Sequence, residues 1–152
     1  DLDADALRFI ADSGLPGMKV LVYAFDPAGE SAYLPHNCPR DAVIYTGTHD
    51  NDTLAGWYKE MNIEEKEFSI DYLGNSRTPV EKIHWDFIRL ALSSVADLAI
   101  IPVQDYLGLG TEARINEPST LGKNWQWRLL KGQLDEKTLR RCRRMAEVYG
   151  RA

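Results

Sequence analysis

Within Ala42-Val43-Ile44-Tyr45-Thr46-Gly47-Thr48-His49-Asp50-Asn51-Asp52-Thr53, a short apolar run stops abruptly in glycine, histidine and two acids. The run reads as a buried strand that delivers polar groups to one end. In a parallel α/β sheet or barrel, ligands bind at the carboxyl ends of the strands, so His49 and Asp50 stand where chemistry is done. Three readings fit the spacing. Asp50 to Asp52 could cap the following helix, with Asp52 the best placed, which leaves His49 and Asp50 unexplained. A metal site is a second reading, although no H-x-x-x-H or cysteine cluster accompanies the pair. The third is carbohydrate chemistry, in which a fixed carboxylate and an imidazole surround a sugar ring that becomes oxocarbenium-like.

A second polar region runs from Arg114 to Arg128, with Asn116, Pro118, Thr120, Asn124, Trp125, Gln126 and Trp127. A tryptophan face can stack on the apolar face of a sugar, with Asn or Arg as hydroxyl partners. The same two rings could instead pack under a loop. His36-Asn37 lies in the Pro35 to Arg40 loop and reads as structural, and His84 beside Trp85 reads as a surface or boundary residue.

The elements that must position these residues alternate. Asp5 to Ser13 has Leu7, Ile10 and Ala11 at helical spacing and Gly14 as a stop. Met18 to Phe25 is a β-branched and aromatic run, predicted to be a strand buried on both faces. Asp26 to Arg40 is a long loop, of the kind more often functional than decorative. Past the central strand come a helix through Leu54 to Tyr58, an acidic helical stretch from Met61 to Tyr72, and a break at Leu73-Gly74-Asn75-Ser76. Thr78-Pro79-Val80-Glu81 has the form of a capping box with proline at the first helical position, leading into Ile83, Phe87, Leu90 and Ala91. Asp97 to Pro102 is a third buried strand, an irregular polar segment runs from past Gly110 to Lys123, and Asp135 to Tyr149 is an amphipathic helix with its arginines largely on the outer side. Helix, strand, loop, strand, helices, strand is an α/β order with parallel crossovers.

Bulk properties narrow the classes. A chain of 152 residues has the length of one domain and buries roughly 70% of its extended surface. With 44% hydrophobic and 27% charged residues the composition is that of a globular protein. A net charge of −5 and one short basic cluster, Lys137 to Arg144, give no reason to expect nucleic acid as a partner. No apolar run approaches the ~20 residues needed to span a bilayer, so no membrane partner is expected. Two cysteines, Cys38 and Cys142, do not make a disulfide scaffold, and a cytoplasmic location is expected. Without an initiator methionine the chain reads as an excised piece.

The string Thr46 to Thr53, the following Gly56-Trp57, the stretch Gly14-Leu15-Pro16-Gly17-Met18-Lys19-Val20 and the segment Asn116 to Arg128 together resemble the C-terminal part of the 4-α-glucanotransferases, the amylomaltase or disproportionating enzymes of glycoside hydrolase family 77. The likeness runs almost end to end. It implies the C-terminal portion of a TIM (β/α)8 barrel, with about three parallel strands and flanking helices over residues 1–152. It implies retaining transfer of α-1,4-glucan segments between maltooligosaccharides, with no metal or organic cofactor. Asp50 would be the transition-state stabiliser and His49 a binder at the cleavage point, while Arg114, Asn116, Asn124 and Trp125 would contact sugar. The family's nucleophilic aspartate and general-acid glutamate belong to motifs absent from this sequence, and neither Asp1 nor Asp3 replaces them. The partners implied are glucans and the missing N-terminal part of the same polypeptide. The isolated chain is expected to be inactive and to self-associate. A stand-alone glucan-binding module built on Trp125 and Trp127 competes with this reading, but it leaves the strand-tip acids unexplained.

Overall fold

The computed structural model describes residues 3–152, so the reading of Asp1, and that of the Leu7 side chain, lie outside the described residues. α1 (Ala4–Asp12) opens on Asp3, whose carboxylate accepts from the Ala6 amide, and it leaves Phe9 and Ile10 exposed. It leads into β1 (Gly17–Val20), which pairs in parallel with β2 (Ala42–Tyr45), and β2 pairs in parallel with β3 (Leu98–Ile100). The sheet order is β1-β2-β3. Between β2 and β3 run α2 (Leu54–Glu60), α3 (Ile63–Leu73) and α4 (His84–Ser93); α5 (Val103–Leu107) and α6 (Glu136–Val148) follow β3.

The α/β order and the parallel pairing are those expected, but the strands are shorter and more open. The predicted strand Met18 to Phe25 ends at Val20 and turns into a 3-10 helix at Leu21–Tyr23, after one last ladder bond from Val22 N to Thr46 O. Leu21, Val22 and Phe25 are apolar because they enter the core as irregular chain. Met18, Leu98 and Ile100 are exposed, against the expectation of strands buried on both faces. The register explains this. Ile44 sits beside Lys19 and Ala99 on the row that meets the helices, whereas Met18, Val43 and Leu98 form a row on the opposite face, which no helix among the described residues covers. In a closed βα-barrel that face is the interior, filled by side chains of other strands.

Two helix starts also differ from expectation. The cap of α2 is Thr53, whose hydroxyl accepts from the Gly56 amide, and not Asp52. Asp52 turns away, accepting from Thr53 N at 2.7 Å and from Thr111 Oγ1 at 2.7 Å. The capping box at Thr78 does not form: Pro79 has ψ 146, outside the helix, and Val80–Lys82 is a 3-10 turn ahead of α4. Thr78 instead accepts from the Asn75 side chain. A capping box does form at α3, where Asn62 and Glu65 exchange bonds. Gln104 to Leu107, to which the sequence reading assigns no element, belongs to the short helix α5.

The later start of α4 explains the placement of His84. His84, Phe87, Ile88 and Ala91 share one face at helical spacing and all are buried, so His84 is a core residue and not a surface or boundary one. Its ring lies against Trp85, and a Cβ at Gly108 would sit 2.6 Å from it. Phe87 is the centre of an aromatic cluster with Phe25, Trp57 and Tyr58. On α6, Met145 is buried, and Arg141 stacks over Trp85 at 4.0 Å while Arg140 and Arg143 pair with Glu136 and Glu147.

Burial lowers the His84 pKa to about 4, with Lys82 and Arg141 adding and Asp86 opposing. A histidine kept neutral in the fold but titrating near 6.5 when unfolded supports the fold fully above pH 6.5, and that support is lost as pH falls toward 4. The loss is about 3 kcal/mol at pH 4. Asp105, raised to about 6, works in the opposite direction between pH 4 and 6, so the comparison is with a variant. His84→Gln is expected to gain about 3 kcal/mol relative to wild type between pH 7 and pH 4 in denaturant unfolding. An equal difference at both pH values would show that His84 does not titrate in this window.

Candidate active site

β2 ends at Tyr45, and its tip is built from the next few residues. Thr46 is fully buried, and its hydroxyl donates to Asp105 Oδ2 at 2.6 Å. Thr48 N and Thr48 Oγ1 both donate to Asn51 Oδ1 at 2.8 Å, closing a tight turn with His49 and Asp50 at its apex. Asn51 Nδ2 in turn donates to the Tyr23 hydroxyl at 2.7 Å, tying this turn to the segment after β1. Gly56 is required beneath it: a Cβ there would stand 2.5 Å from both Asp52 Oδ2 and Thr111 Oγ1. At the apex both side chains face outward, His49 being 54% and Asp50 47% exposed.

The segment after α5 supplies the other wall. Asn116 Nδ2 donates to Asp50 Oδ1 at 2.6 Å, and His49 Nε2 lies 3.3 Å from the same oxygen. Arg114 does not approach the carboxylate; its Nη2 donates to the Asp50 main-chain oxygen at 2.8 Å and its Nε to Asn116 O at 2.9 Å. Asn116 N donates to His49 O. The Trp125 ring lies 5.1 Å from the His49 ring, centroid to centroid, with its side chain largely in solvent. Five of the six residues singled out in the sequence thus converge: His49, Asp50, Arg114, Asn116 and Trp125. Asn124 stands apart in function, its side chain holding the loop by accepting from Glu117 N and donating to Glu117 O and to Thr120.

Trp125 adopts φ +64, a region that bulky side chains rarely occupy. Two bonds hold it there, from Trp125 N to Ile115 O at 2.7 Å and from Arg128 Nη1 to Trp125 O at 2.8 Å. Trp127 is half-buried, which suits the packing role for that ring better than for Trp125. His36 bonds to the Tyr72 hydroxyl and Asn37 to Ser31 O, so that loop is internally tied.

Sequence reasoning missed Asp105, Asn51 and Tyr23. Asp105 is 2% exposed, and burial pushes its carboxyl up to about 6, with the nearby Asp52 charge adding and the bonds from Leu54 N and Thr46 opposing. A readable signal existed: Gln104-Asp105 follows the third apolar run as His49-Asp50 follows the second. Behind the apex lies a cavity of about 30 Å³ lined by Thr48, His49, Asp52, Gln104, Asp105 and Arg114 among others. That is room for a water or two and not for a sugar ring, whereas the outer side, bordered by His49, Asp50 and Trp125, is open to solvent. No group of three or more His, Cys, Asp or Glu among the described residues could hold a metal ion, so the metal reading finds no ligand set. Among the described residues no helix is long and apolar enough to cross a membrane.

Parallel strands with helices on one face and an acid-bearing site at the strands' carboxyl ends define a section of a (β/α)8-barrel enzyme. The chain belongs to glycoside hydrolase family 77, the 4-alpha-glucanotransferases, whose family model matches residues 3–134. It is 49% identical to a 4-alpha-glucanotransferase of Thermus thermophilus over 143 residues, 91% of this chain and 29% of that protein. It is 46% identical to one of Synechocystis over 150 residues, 98% of this chain and 29% of that protein. Among solved structures it is similar to the amylomaltase from Streptococcus agalactiae in complex with acarbose, with a TM-score of 0.94 and 32% identity over all of this chain and 30% of that one. The chain therefore spans under a third of the length of the relatives it matches.

Proposed function

We propose that residues 1–152 are one partial-barrel unit of the catalytic domain of a longer, cytoplasmic 4-α-glucanotransferase, and that this unit carries the transition-state stabiliser. The single observation that supports this best is Asp50 at the tip of β2, aimed outward and fixed by Asn116 while His49 and Trp125 flank it. As the glucosyl ring gains positive charge, the Asp50 carboxylate stabilises it from a position already set, without reorganisation. The nucleophile and the acid/base come from the rest of the polypeptide, and the glucan segment passes through a covalent glycosyl-enzyme to an acceptor with retention. No cofactor enters this chemistry. His49 binds a ring hydroxyl at the cleavage point, and Trp125 offers its exposed face to the apolar face of a glucose unit. Its unusual backbone is a form of strain that supports a functional role, since such positions cluster at ligand sites. Arg114, Asn116 and Asn124 act on sugar chiefly through the segments they hold. Maltooligosaccharides as substrates are in keeping with the acarbose bound to the Streptococcus agalactiae relative.

The test is maltotriose disproportionation by the full-length protein, with and without Trp125→Ala. Wild type is expected to produce glucose and longer maltooligosaccharides. The variant is expected to raise the Michaelis constant for acceptor several-fold while its stability changes by about 1 kcal/mol or less, because the ring is 56% exposed. A loss of roughly 3–5 kcal/mol with unchanged acceptor kinetics would make Trp125 a packing residue. Glucan binding by the full-length protein without any turnover would favour the binding-module reading.

A further inference from the structure

The segment 47–53, which carries His49 and Asp50, is bounded by Thr46, the residue after β2, and by Leu54 at the start of α2. Both boundaries are buried, and both present a hydrogen-bond donor to the same residue. Thr46 Oγ1 donates to Asp105 Oδ2 at 2.6 Å, and Leu54 N donates to Asp105 Oδ1 at 2.8 Å. The Leu54 amide is one of the first-turn donors that no helical carbonyl can satisfy. Asp105 comes from α5, more than fifty residues away in the chain. We propose that Asp105 is a positioning residue for the transition-state site: one carboxylate, anchored on α5, clamps both ends of the loop that presents His49 and Asp50.

Its geometry suits no direct role. At 2% exposure Asp105 cannot reach a sugar on the outer side, and the space it faces is too small to admit one. A carboxylate is the side chain that can accept from two donors at once through two oxygens. The neighbouring contacts extend the same function. Gln104 Nε2 donates to Ala113 O, one residue before Arg114, so α5 also fixes the segment that brings Arg114 and Asn116 onto Asp50. Thr111 Oγ1 donates to Asp52 Oδ2 and ties the later part of the same loop to that segment. The loop is therefore held at both ends from α5 and near its α2 end from Thr111, while the His49 and Asp50 side chains remain partly open to solvent.

This inference rests on the glucan-transfer reading of the site, and the experiment separates the two. In the full-length protein, Asp105→Ala removes both bonds, Thr46→Val removes one, and Asp105→Asn can keep both, its amide oxygen accepting from Leu54 N and its NH2 donating to a rotated Thr46 hydroxyl. Hydrogen exchange of the amides in 47–54 reads the clamp without reference to activity. Asp105→Ala is expected to speed exchange there by roughly tenfold or more, the worth of one charge-assisted hydrogen bond, while α4 and α6 stay protected. Maltotriose turnover is expected to fall roughly 100-fold with the Michaelis constant little changed, as for a displaced reactive group. Asp105→Asn is expected to recover most of both losses. If Asp105→Ala does not fold, Thr46→Val carries the test, with faster exchange confined to 47–54 and a smaller fall in turnover. Unchanged exchange in 47–54, or loosening spread evenly over the domain with normal turnover per folded molecule, would overturn the proposal. Absence of disproportionation in wild type would overturn the glucan-transfer reading alone, and the exchange data would still decide the clamp.

Discussion

Asp50→Asn in the full-length protein is expected to lower the turnover of maltotriose roughly 10²–10³-fold, the scale set by removing one preorganised group from a developing charge. The Michaelis constant is expected to stay within a few-fold of wild type. The substitution is close to isosteric, and the amide oxygen can still accept from Asn116 Nδ2, which reaches Asp50 Oδ1 at 2.6 Å in the native site. The main-chain bond from Arg114 to Asp50 O is indifferent to the side chain. What disappears is the negative charge beside the ring. That charge contributes little to a neutral ground-state sugar and most to the cationic transition state, so the loss falls on kcat and on kcat/KM equally. Parallel kinetics and a binding isotherm with maltooligosaccharide measure the two parts. A variant with normal turnover and a raised Michaelis constant would make Asp50 a ground-state binder.

The parts of this site that are legible in the sequence are the ones encoded locally. Ala42 to Tyr45 reads as a strand because four apolar residues end in Thr-Gly-Thr, and His49 and Asp50 follow at its tip. Tertiary contacts decided the rest. Asp52 has the right type and spacing to cap α2, yet Thr111, 59 positions on, offers it a hydroxyl, and Thr53 takes the cap. Thr78-Pro79 has the form of a helix start, but the chain makes one 3-10 turn first, and that shift places His84 on the buried face with Phe87 and Ala91. Asp105 appears as one more acid after an apolar run; only the fold brings it to Thr46 and Leu54. Arg114 reads as a sugar-binding cation, whereas its guanidinium donates to two main-chain carbonyls. Long-range hydrogen bonds have no period and no spacing, and so leave no trace in a single sequence.

The 152-residue chain by itself is expected to show no disproportionation of maltotriose and to associate in solution. Retaining transfer needs a nucleophile and an acid/base about 5 Å apart across the scissile bond. Three carboxylates, Asp50, Asp52 and Asp105, are tied to the loop at the tip of β2 among the described residues. Asp105 is buried and bonded on both oxygens; Asp52, half-buried, has both oxygens bonded by Thr53 N and Thr111; Asp50 points outward, its side chain 47% exposed. One open carboxylate cannot serve as nucleophile and as acid, so turnover is expected to be lost altogether. Association has a separate cause. Among the described residues β1 and β3 are the two edges of the sheet, each without a strand partner on its outer side, and Met18 at 58% and Leu98 at 51% exposure line the uncovered face. An open apolar edge pairs with another copy or with the strands that flank it in a closed barrel. Sedimentation over a range of concentrations is expected to show dimers or larger species, and adding the remainder of the polypeptide in trans is expected to compete with them. A monodisperse monomer that shuffles maltotriose unaided would refute both halves: it would place a complete catalytic pair within this chain, and it would show that the edges of β1 and β3 need no partner.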